Sequence, residues 1–351
     1  MRRRMHQPPA RRAVWIDFEN APHVWVFSRV IDRLRAAGYP LILTARDFSC
    51  TVPLCRYLGL DVQVIGWPGM ARHGLGRVLR VGERTLALYL AMFPRRRGVA
   101  LALSHGSRSQ IVACQPLGIP VLTLDDYEFC DKSVFRFVDR HLMPFPIPKE
   151  AYGGYAGRVE WYPGLKEDLY LCDFRPPERS LPQLPPEGEG VRVLLRPEGR
   201  FTHYRSAQSA VLQEAILEHL AAQPGVFLVL LPRDGEQGRA LAEFCRAHHI
   251  ACWLPGEVLD GPALIWQMDL VIGGGGTMTR EAAALRVPSY SFFAGHWGAV
   301  DRHLQAQGRL VRIATVDDVP KIRLARRVRT PPAISHEALD FVTHTIEQMA
   351  V

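Results

Sequence analysis

The sequence lacks the long apolar runs of a membrane-spanning protein. None of its apolar stretches reaches the roughly 18 residues that a membrane helix needs. The longest, residues 85–93, is about half that length and is followed by three arginines. This run suits contact with a bilayer surface, so we expect no membrane span and peripheral contact at most.

Paired cysteines and the short signatures of common hydrolases are also missing. The seven cysteines are scattered, and none forms a CxxC pair. We therefore expect reduced thiols, a cytoplasmic location and no metal site. The absence of HExxH and GxSxG patterns argues against zinc-dependent and serine-nucleophile hydrolases.

Positive charge is concentrated at the amino end of the sequence. The net charge is +8, and the first twelve residues contain five arginines and no acid. Without those five charges the remaining chain is only +3. The segment has no apolar core typical of a secretory signal, so residues 1–12 are predicted to be a disordered basic tail. The weak charge of the body argues against specific nucleic-acid binding.

Apolar segments of strand length alternate with segments of helical spacing along most of the chain. This alternation predicts an α/β protein with parallel sheets covered on both faces. Five prolines interrupt it between residues 172 and 190, which we interpret as a linker. The predicted organisation is a Rossmann-like domain at 13–171, the linker at 172–190, a second Rossmann-like domain at 191–335, and a final helix at 336–351 that packs on the first domain.

Four consecutive glycines give the sharpest local signal. They follow a predicted buried strand and precede a predicted helix, an arrangement that lets a phosphate approach backbone N–H groups. Thr277 adds a hydroxyl donor, and Glu281 is placed to accept hydrogen bonds from a ribose. The spacing matches neither the dinucleotide GxGxxG fingerprint nor a P-loop. The glycines are Gly273, Gly274, Gly275 and Gly276.

This loop resembles the nucleotide-sugar half of GT-B proteins, among them glycosyltransferases and UDP-N-acetylglucosamine 2-epimerases. The chain as a whole resembles domain-of-unknown-function family 354, which is assigned to that fold. The resemblance implies two Rossmann-like domains facing a central cleft. It rests on short stretches in conserved order within residues 14–300, namely 15–17, 20–24, 44–47, 104–107, 163–167, 196–198 and 273–283.

By this resemblance the second half binds the donor. The glycine loop with Thr277 would hold the diphosphate, Glu281 the ribose, and the segment 254–258 would lie near the base. Arg196 is placed to pair with a phosphate, with Glu198 beside it. His296, in a loop with Trp297 between two glycines, is expected to face the ligand.

The first half would supply the chemistry. His23 follows the first strand and is the leading candidate for a general base, because a neutral imidazole suits that role near pH 7. Asp17, Glu19 and Asp126 are the alternatives. His105 lies in a loop whose epimerase counterpart reads His-Gly-Asp, whereas this chain has Ser107 in place of the acid. That departure weakens the epimerase interpretation.

The leading hypothesis is metal-independent glycosyl transfer from a nucleotide-diphosphate sugar, with a UDP sugar favoured, to an acceptor that the sequence does not identify. No cofactor is expected. The alternatives are a sugar-nucleotide 2-epimerase and a protein that binds a nucleotide sugar without catalysis.

Overall fold

The computed structural model describes residues 11–68, 74–198 and 207–351, and the strands in these ranges form two parallel sheets. Each sheet is covered by helices on both faces, which explains why strand β1 (Ala13–Phe18) is buried along its whole length. The first sheet has the order β3-β2-β1-β4-β5-β6-β7. Its other strands are β2 (Leu41–Ala45), β3 (Gln63–Val64), β4 (Val99–Ser104), β5 (Val121–Leu124), β6 (Arg140–Pro144) and β7 (Val159–Tyr162).

The second sheet has the order β10-β9-β8-β11-β12-β13. Its strands are short and mostly apolar, and the central ones, β8 and β11, pair with each other in parallel register. The strands are β8 (Val191–Arg196), β9 (Val226–Leu230), β10 (Ala251–Trp253), β11 (Leu270–Gly273), β12 (Ser289–Ser291) and β13 (Val311–Arg312).

The helices connect successive strands of each sheet. In the first half they are α1 (Ala21–Ala36), α2 (Thr51–Tyr57), α3 (Gly74–Met92), α4 (Arg108–Leu117) and α5 (Asp168–Leu171). In the second half they are α6 (Ala207–Ala221), α7 (Gly235–Ala247), α8 (Gly261–Trp266), α9 (Gly276–Ala284) and α10 (Ala299–Ala306), and α11 (Glu337–Met349) ends the chain. Among the described helices, none is both long enough and apolar enough to cross a bilayer.

The last helix returns to the first half of the chain. Leu339, Val342 and Ile346 of α11 are fully buried, and α11 packs against α1 and α5. The apolar cluster that contains these side chains also includes Leu194 and Val271 from the second sheet. Burial of this continuous cluster holds the two halves together.

In each sheet the strand order reverses once, and this reversal positions the site. The first sheet reverses between β1 and β4, and the second between β8 and β11. Ligands of open parallel sheets bind outside the carboxyl ends of the strands at such a reversal. The loops after these four strands are therefore expected to contribute to the site.

Three elements differ from the expectations drawn from the sequence. Residues 74–92 form the long helix α3, of which the sequence indicated only an apolar run. Strand β7 was not predicted, because four residues that follow a glycine-rich stretch give little periodic signal. The apolar spacing of residues 132–138 predicts a short helix, and the structure has a single 3-10 turn there, at Phe135–Phe137.

Candidate functional site

A cavity of about 640 Å³ lies between the carboxyl ends of the two sheets. Loops after β1, β4 and β5 form one wall, and loops after β8, β9 and β11 form the other. We call these the N-terminal and C-terminal walls. Volume and lining are typical of a site for a small organic ligand.

The glycine loop divides into two pairs with different surroundings. Gly275 is the N-cap of α9 and has no side-chain cap, and Gly275 and Gly276 line the cavity together with Thr277. The first N–H groups of a helix lack internal partners and carry partial positive charge. This end of α9 therefore offers the cavity a set of donors suited to an anion.

Gly273 and Gly274 lie behind that surface and do not line the cavity. A Cβ at Gly274 would stand 2.7 Å from the backbone nitrogen of Glu198 and 2.8 Å from the ring of Phe292. A Cβ at Gly273 would stand 2.8 Å from Cγ2 of Thr279. These two glycines allow close packing, whereas the second pair leaves room for a ligand.

Two guanidinium groups stand beside the amino end of α9. Arg196 follows β8 and donates from Nη1 to the carbonyl oxygens of Leu231 at 2.7 Å and Pro232 at 2.8 Å. Arg233 follows β9, and its Nη2 would be 3.0 Å from a Cβ at Gly275. Burial, together with the charge of Arg233, lowers the pKa of Arg196 to about 9.

Neither arginine has a carboxylate partner within 4 Å among the residues that the structure describes. Both side chains line the cavity. Two clustered cations at a buried site are stabilised when an anion binds between them, and a guanidinium can bind phosphate through two parallel hydrogen bonds. The C-terminal wall thus has the chemistry of a diphosphate site.

Glu281 also lines the cavity. The sequence pattern predicts a helix from Thr279 with Glu281 in its first turn, but α9 begins three residues earlier, at Gly276, and Glu281 lies in its second turn. Tyr170 donates its hydroxyl to Oε1 of Glu281 at 2.7 Å. Burial raises the pKa of this carboxyl to about 7. Pro255, Glu257 and Val258, from the segment expected near the base, line the same wall.

On the N-terminal wall two histidines face each other. His23 lies in the first turn of α1 and His105 in the loop after β4, and their ring centroids are 4.8 Å apart. Burial, with the neighbouring His105 and Lys166, lowers the pKa of His23 well below its usual value. His23 is therefore neutral near pH 7, and its Nδ1 has no hydrogen-bond partner among the described residues.

Asp126 is at the centre of an ion-pair network. Its Oδ2 accepts from Lys166 Nζ at 2.5 Å and from Arg280 Nη1 at 2.6 Å, and His105 Nε2 lies 3.3 Å from Oδ1. Burial alone would raise the pKa of Asp126, but the charges of Lys166 and Arg280 outweigh it and hold the pKa well below its usual value. Asp126 is ionised and already engaged, so it is a poor proton acceptor.

Arg280 connects the two walls. Besides Asp126 it donates from Nε and Nη2 to the carboxylate of Asp301 at 2.7 and 2.8 Å. The side chains of Lys166 and Arg280 lie in segments that carried the family resemblance, but the sequence interpretation did not single them out. Lys166 and Arg280 are 114 positions apart in the sequence, and no local pattern indicates that they meet one carboxylate.

Asp17 lies outside the cavity lining and is saturated with partners. It is fully buried, its two oxygens pair with Arg84 at 2.7 and 2.9 Å, and it accepts hydroxyl hydrogen bonds of 2.6 Å from Ser107 and Thr44. We therefore assign it a structural role in fixing α3 and α4 to the sheet. The other alternative base, Glu19, lies 3.6 Å from Arg46 and also does not line the cavity.

The remaining expected binding residues lie behind or beside the cavity. Glu198 is buried, and neither it nor His296 lines the cavity. The ring of His296 lies 5.0 Å from that of Phe129. Trp297 is buried in an apolar core cluster and does not line the cavity. Residues 203–205, noted after Arg196 in the sequence, lie outside the described residues.

Two parallel sheets around a shared cleft define the GT-B fold. UDP-GlcNAc 2-epimerase from Neisseria meningitidis, solved bound to UDP-GlcNAc, matches with a TM-score of 0.69 and 13% identity, covering 96% of this chain and 100% of that chain. UDP-N-acetylglucosamine 2-epimerase from Rickettsia bellii matches with a TM-score of 0.68 and 13% identity, covering 97% of this chain and 96% of that chain. A glycotransferase of kitacinnamycin matches with a TM-score of 0.58 and 13% identity, covering 98% of this chain and 95% of that chain. The predicted fold is confirmed.

The chain belongs to the family described as a protein of unknown function, DUF354, whose profile matches residues 12–330. An uncharacterized protein from Methanocaldococcus jannaschii is 26% identical over 333 residues, which cover 87% of this chain and 89% of that protein. The resemblance to this family drawn from the sequence is thereby confirmed.

Proposed function

We propose that the protein is an enzyme that binds a nucleotide-diphosphate sugar in the cleft and transfers the sugar to an acceptor. One observation carries the proposal: the uncapped amino end of α9 and the guanidinium groups of Arg196 and Arg233 face one cavity, with no carboxylate paired to either arginine among the described residues. A diphosphate supplies negative charge to these two arginines.

In this proposal the C-terminal wall stabilises the leaving group. As the bond between the sugar and the diphosphate breaks, negative charge grows on the diphosphate oxygen. Fixed N–H groups and guanidinium groups that already point at that position stabilise the charge without further rearrangement. The same task is often performed by a metal ion, and here this chain's own residues can perform it.

His23 on the opposite wall is the proposed general base. Its imidazole is neutral near pH 7, and its ring lines the cavity. It would take the proton from the acceptor hydroxyl as the acceptor oxygen bonds to the anomeric carbon and the diphosphate leaves. Asp126 is excluded from that role by its ion pairs with Lys166 and Arg280.

Glu281 is proposed to bind the ribose. One of its oxygens already accepts from Tyr170, which leaves the other to accept from a ribose hydroxyl. Pro255 and Val258 are close enough to the cavity to border the base. UDP is the favoured nucleotide, by the resemblance to the GT-B proteins named above.

Epimerisation at the sugar C2 is the second candidate. It needs two acid/base groups beside the sugar, and the cavity offers His23 together with Glu281, whose pKa is about 7. Against it, Ser107 stands where the epimerase loop carries an acid, and its hydroxyl is committed to Asp17 at 2.6 Å. Glycosyl transfer needs only one general base, which His23 can supply, so the site fits transfer better than epimerisation.

A two-stage experiment tests the proposal. First, thermal unfolding is measured with a panel of nucleotide sugars, with free uridine as the control that lacks a diphosphate. A ligand at 100 times its Kd stabilises the native state by about 2.7 kcal/mol. If no member of the panel raises the melting temperature more than uridine does, the proposal is wrong.

The second stage separates the reactions. The stabilising sugar is incubated with the enzyme in D₂O without acceptor and followed by NMR. An epimerase exchanges the C2 proton for deuterium under these conditions, whereas a transferase leaves C2 protonated and releases nucleotide only when an acceptor is added. Deuterium at C2 would reject transfer in favour of epimerisation, and tight binding with neither reaction would indicate a binding protein.

A further inference from the structure

Helix α3 carries apolar side chains on the side that faces solvent. Leu79, Leu86, Leu90 and Phe93 recur at intervals of seven, four and three residues, which places them along one side of the helix. The three leucines are 69%, 58% and 60% exposed. We call these four side chains the outer stripe.

The opposite side of the same helix is also apolar and is already buried. Leu88 and Met92 are fully buried in a core cluster, and Arg84 on that side is paired with Asp17. A helix that is apolar on both sides is normally enclosed by other protein segments or by lipid. Among the described residues nothing covers the outer stripe, so it is a large apolar surface of the kind that marks an interaction site.

Trp67 stands beside the stripe with the features of an interfacial aromatic residue. Its side chain is 61% exposed. The Arg80 guanidinium lies over its ring, 5.3 Å from the centroid, and its backbone N–H donates to Glu83 at 3.2 Å. Trp side chains combine an apolar ring with a polar N–H and are enriched where lipid meets water.

The charge around the stripe is strongly positive. Residues 78–98 contain five arginines and one acid, Glu83. Of these five, Arg84 is paired with the buried Asp17. Arg95 and Arg97 are exposed at the end of the stripe, and Arg96 stacks over Phe93 at 4.1 Å.

We propose that the outer stripe, with Trp67 and the flanking arginines, binds the surface of an anionic lipid bilayer, with α3 lying in the plane of the interface. An exposed apolar stripe bordered by arginine and tryptophan is the arrangement that such a surface binds. A second copy of the chain is a poorer partner, because its own arginines would face these arginines.

Vesicle flotation tests this proposal. The full chain is mixed with vesicles of pure phosphatidylcholine, or of three parts phosphatidylcholine to one part phosphatidylglycerol. Wild-type protein is expected to float with the anionic vesicles and to bind the neutral ones at least several-fold more weakly. The double variant Leu86→Gln/Leu90→Gln removes apolar contact at exposed positions, and its partition coefficient should fall about tenfold or more.

Matched variants separate the contribution of apolar contact from the contribution of positive charge. Arg95→Gln/Arg97→Gln should weaken binding to anionic vesicles and reduce its dependence on salt. Val328→Gln, at a position 90% exposed on the second half, is the control and should float like wild type. Circular dichroism and UDP binding should be unchanged in all three variants, so this result is independent of the proposed function.

Three outcomes would overturn the proposal. The first is the absence of wild-type protein from the anionic vesicle fraction, and the second is full binding by the Leu86→Gln/Leu90→Gln variant. The third is a dimer in light scattering that this variant dissociates, which would assign the stripe to a second copy of the chain.

Discussion

The two walls of the cleft differ in how their polar groups are occupied. On the N-terminal wall, Asp126 already binds Lys166 and Arg280, and Asp17 behind it already binds Arg84. On the C-terminal wall, Arg196 and Arg233 are paired with backbone carbonyls rather than with carboxylates among the described residues.

In the proposed function this difference separates two tasks. The charges of the N-terminal wall are neutralised within the protein, and His23 is the neutral group proposed to react there. The positive charge of the C-terminal wall is proposed to bind the ligand. The comparison predicts that variants of the N-terminal wall will lower turnover, whereas variants of the C-terminal wall will lower affinity for the donor.

The largest expected effect is on turnover. Replacing His23 with alanine removes the proposed base, and the rate should fall about 10²–10⁴-fold. Affinity for the donor should be nearly unchanged, because the donor contacts the opposite wall. A steady-state assay of nucleotide release, combined with calorimetry of donor binding, measures both quantities.

His296→Ala is the matched control, because His296 is an imidazole outside the cavity lining. It should turn over like wild type. If His23→Ala has the wild-type rate, or if it loses affinity as strongly as rate, the division of tasks between the walls is wrong.

The next effect is on stability. Arg280→Gln leaves Asp301 buried without its guanidinium and deprives Asp126 of one of its two cations. Breaking a buried ion pair by removing one partner costs about 3–5 kcal/mol, and we expect a value near the lower end because Lys166 remains. The melting temperature of the variant should fall by several degrees.

Arg233→Gln provides the contrast. The Arg233 side chain has no carboxylate partner among the described residues, so its removal leaves no buried carboxylate unpaired there. Its melting temperature should stay close to that of wild type. Equal losses in both variants would show that the arginines of the C-terminal wall are as structural as Arg280.

A smaller effect is expected in the pH dependence of stability. Burial raises the pKa of Glu281 from 4.5 to about 7, so between these values the native state holds a proton that the unfolded state has lost. This raised pKa therefore contributes stability at low pH that is lost as pH rises towards about 7. Glu281→Gln should remove up to about 3 kcal/mol of this dependence.

Melting temperatures of wild type and Glu281→Gln across pH 4.5–8 measure this pH dependence. As pH rises, the melting temperature of the glutamine variant should increase relative to that of wild type. Parallel curves would mean that Glu281 is ionised throughout this range and that its site is more polar than its burial indicates.

The sequence was sufficient for the sheets but not for every helix around them. Buried parallel strands are continuous apolar runs. The apolar runs at 41–45 and 99–104 predict two strands, and β2 and β4 have these bounds. Helix α3 was missed because it is apolar on two sides, which removes the single amphipathic stripe by which helices are recognised. Its three glycines weaken the signal further.

For the site, the C-terminal wall could be predicted and the N-terminal wall only in part. Four adjacent glycines between a strand and a helix are a local signal, visible within one segment. The network around Asp126 joins residues 40 and 154 positions away, Lys166 and Arg280, and no local pattern marks such a meeting. Asp17 shows the converse. Its place at a strand end suggested catalysis, but in the structure its carboxylate is occupied by Arg84, Ser107 and Thr44.

Calorimetric titration of UDP and of uridine into wild-type protein and Arg233→Gln tests the central claim most directly. If the C-terminal wall is a diphosphate site, wild type binds UDP much more tightly than uridine. Arg233→Gln should weaken UDP binding by about 1.5–3 kcal/mol, the range for a hydrogen bond to a charged group, and leave uridine binding unchanged. Equal affinities of wild type for UDP and uridine would contradict the account.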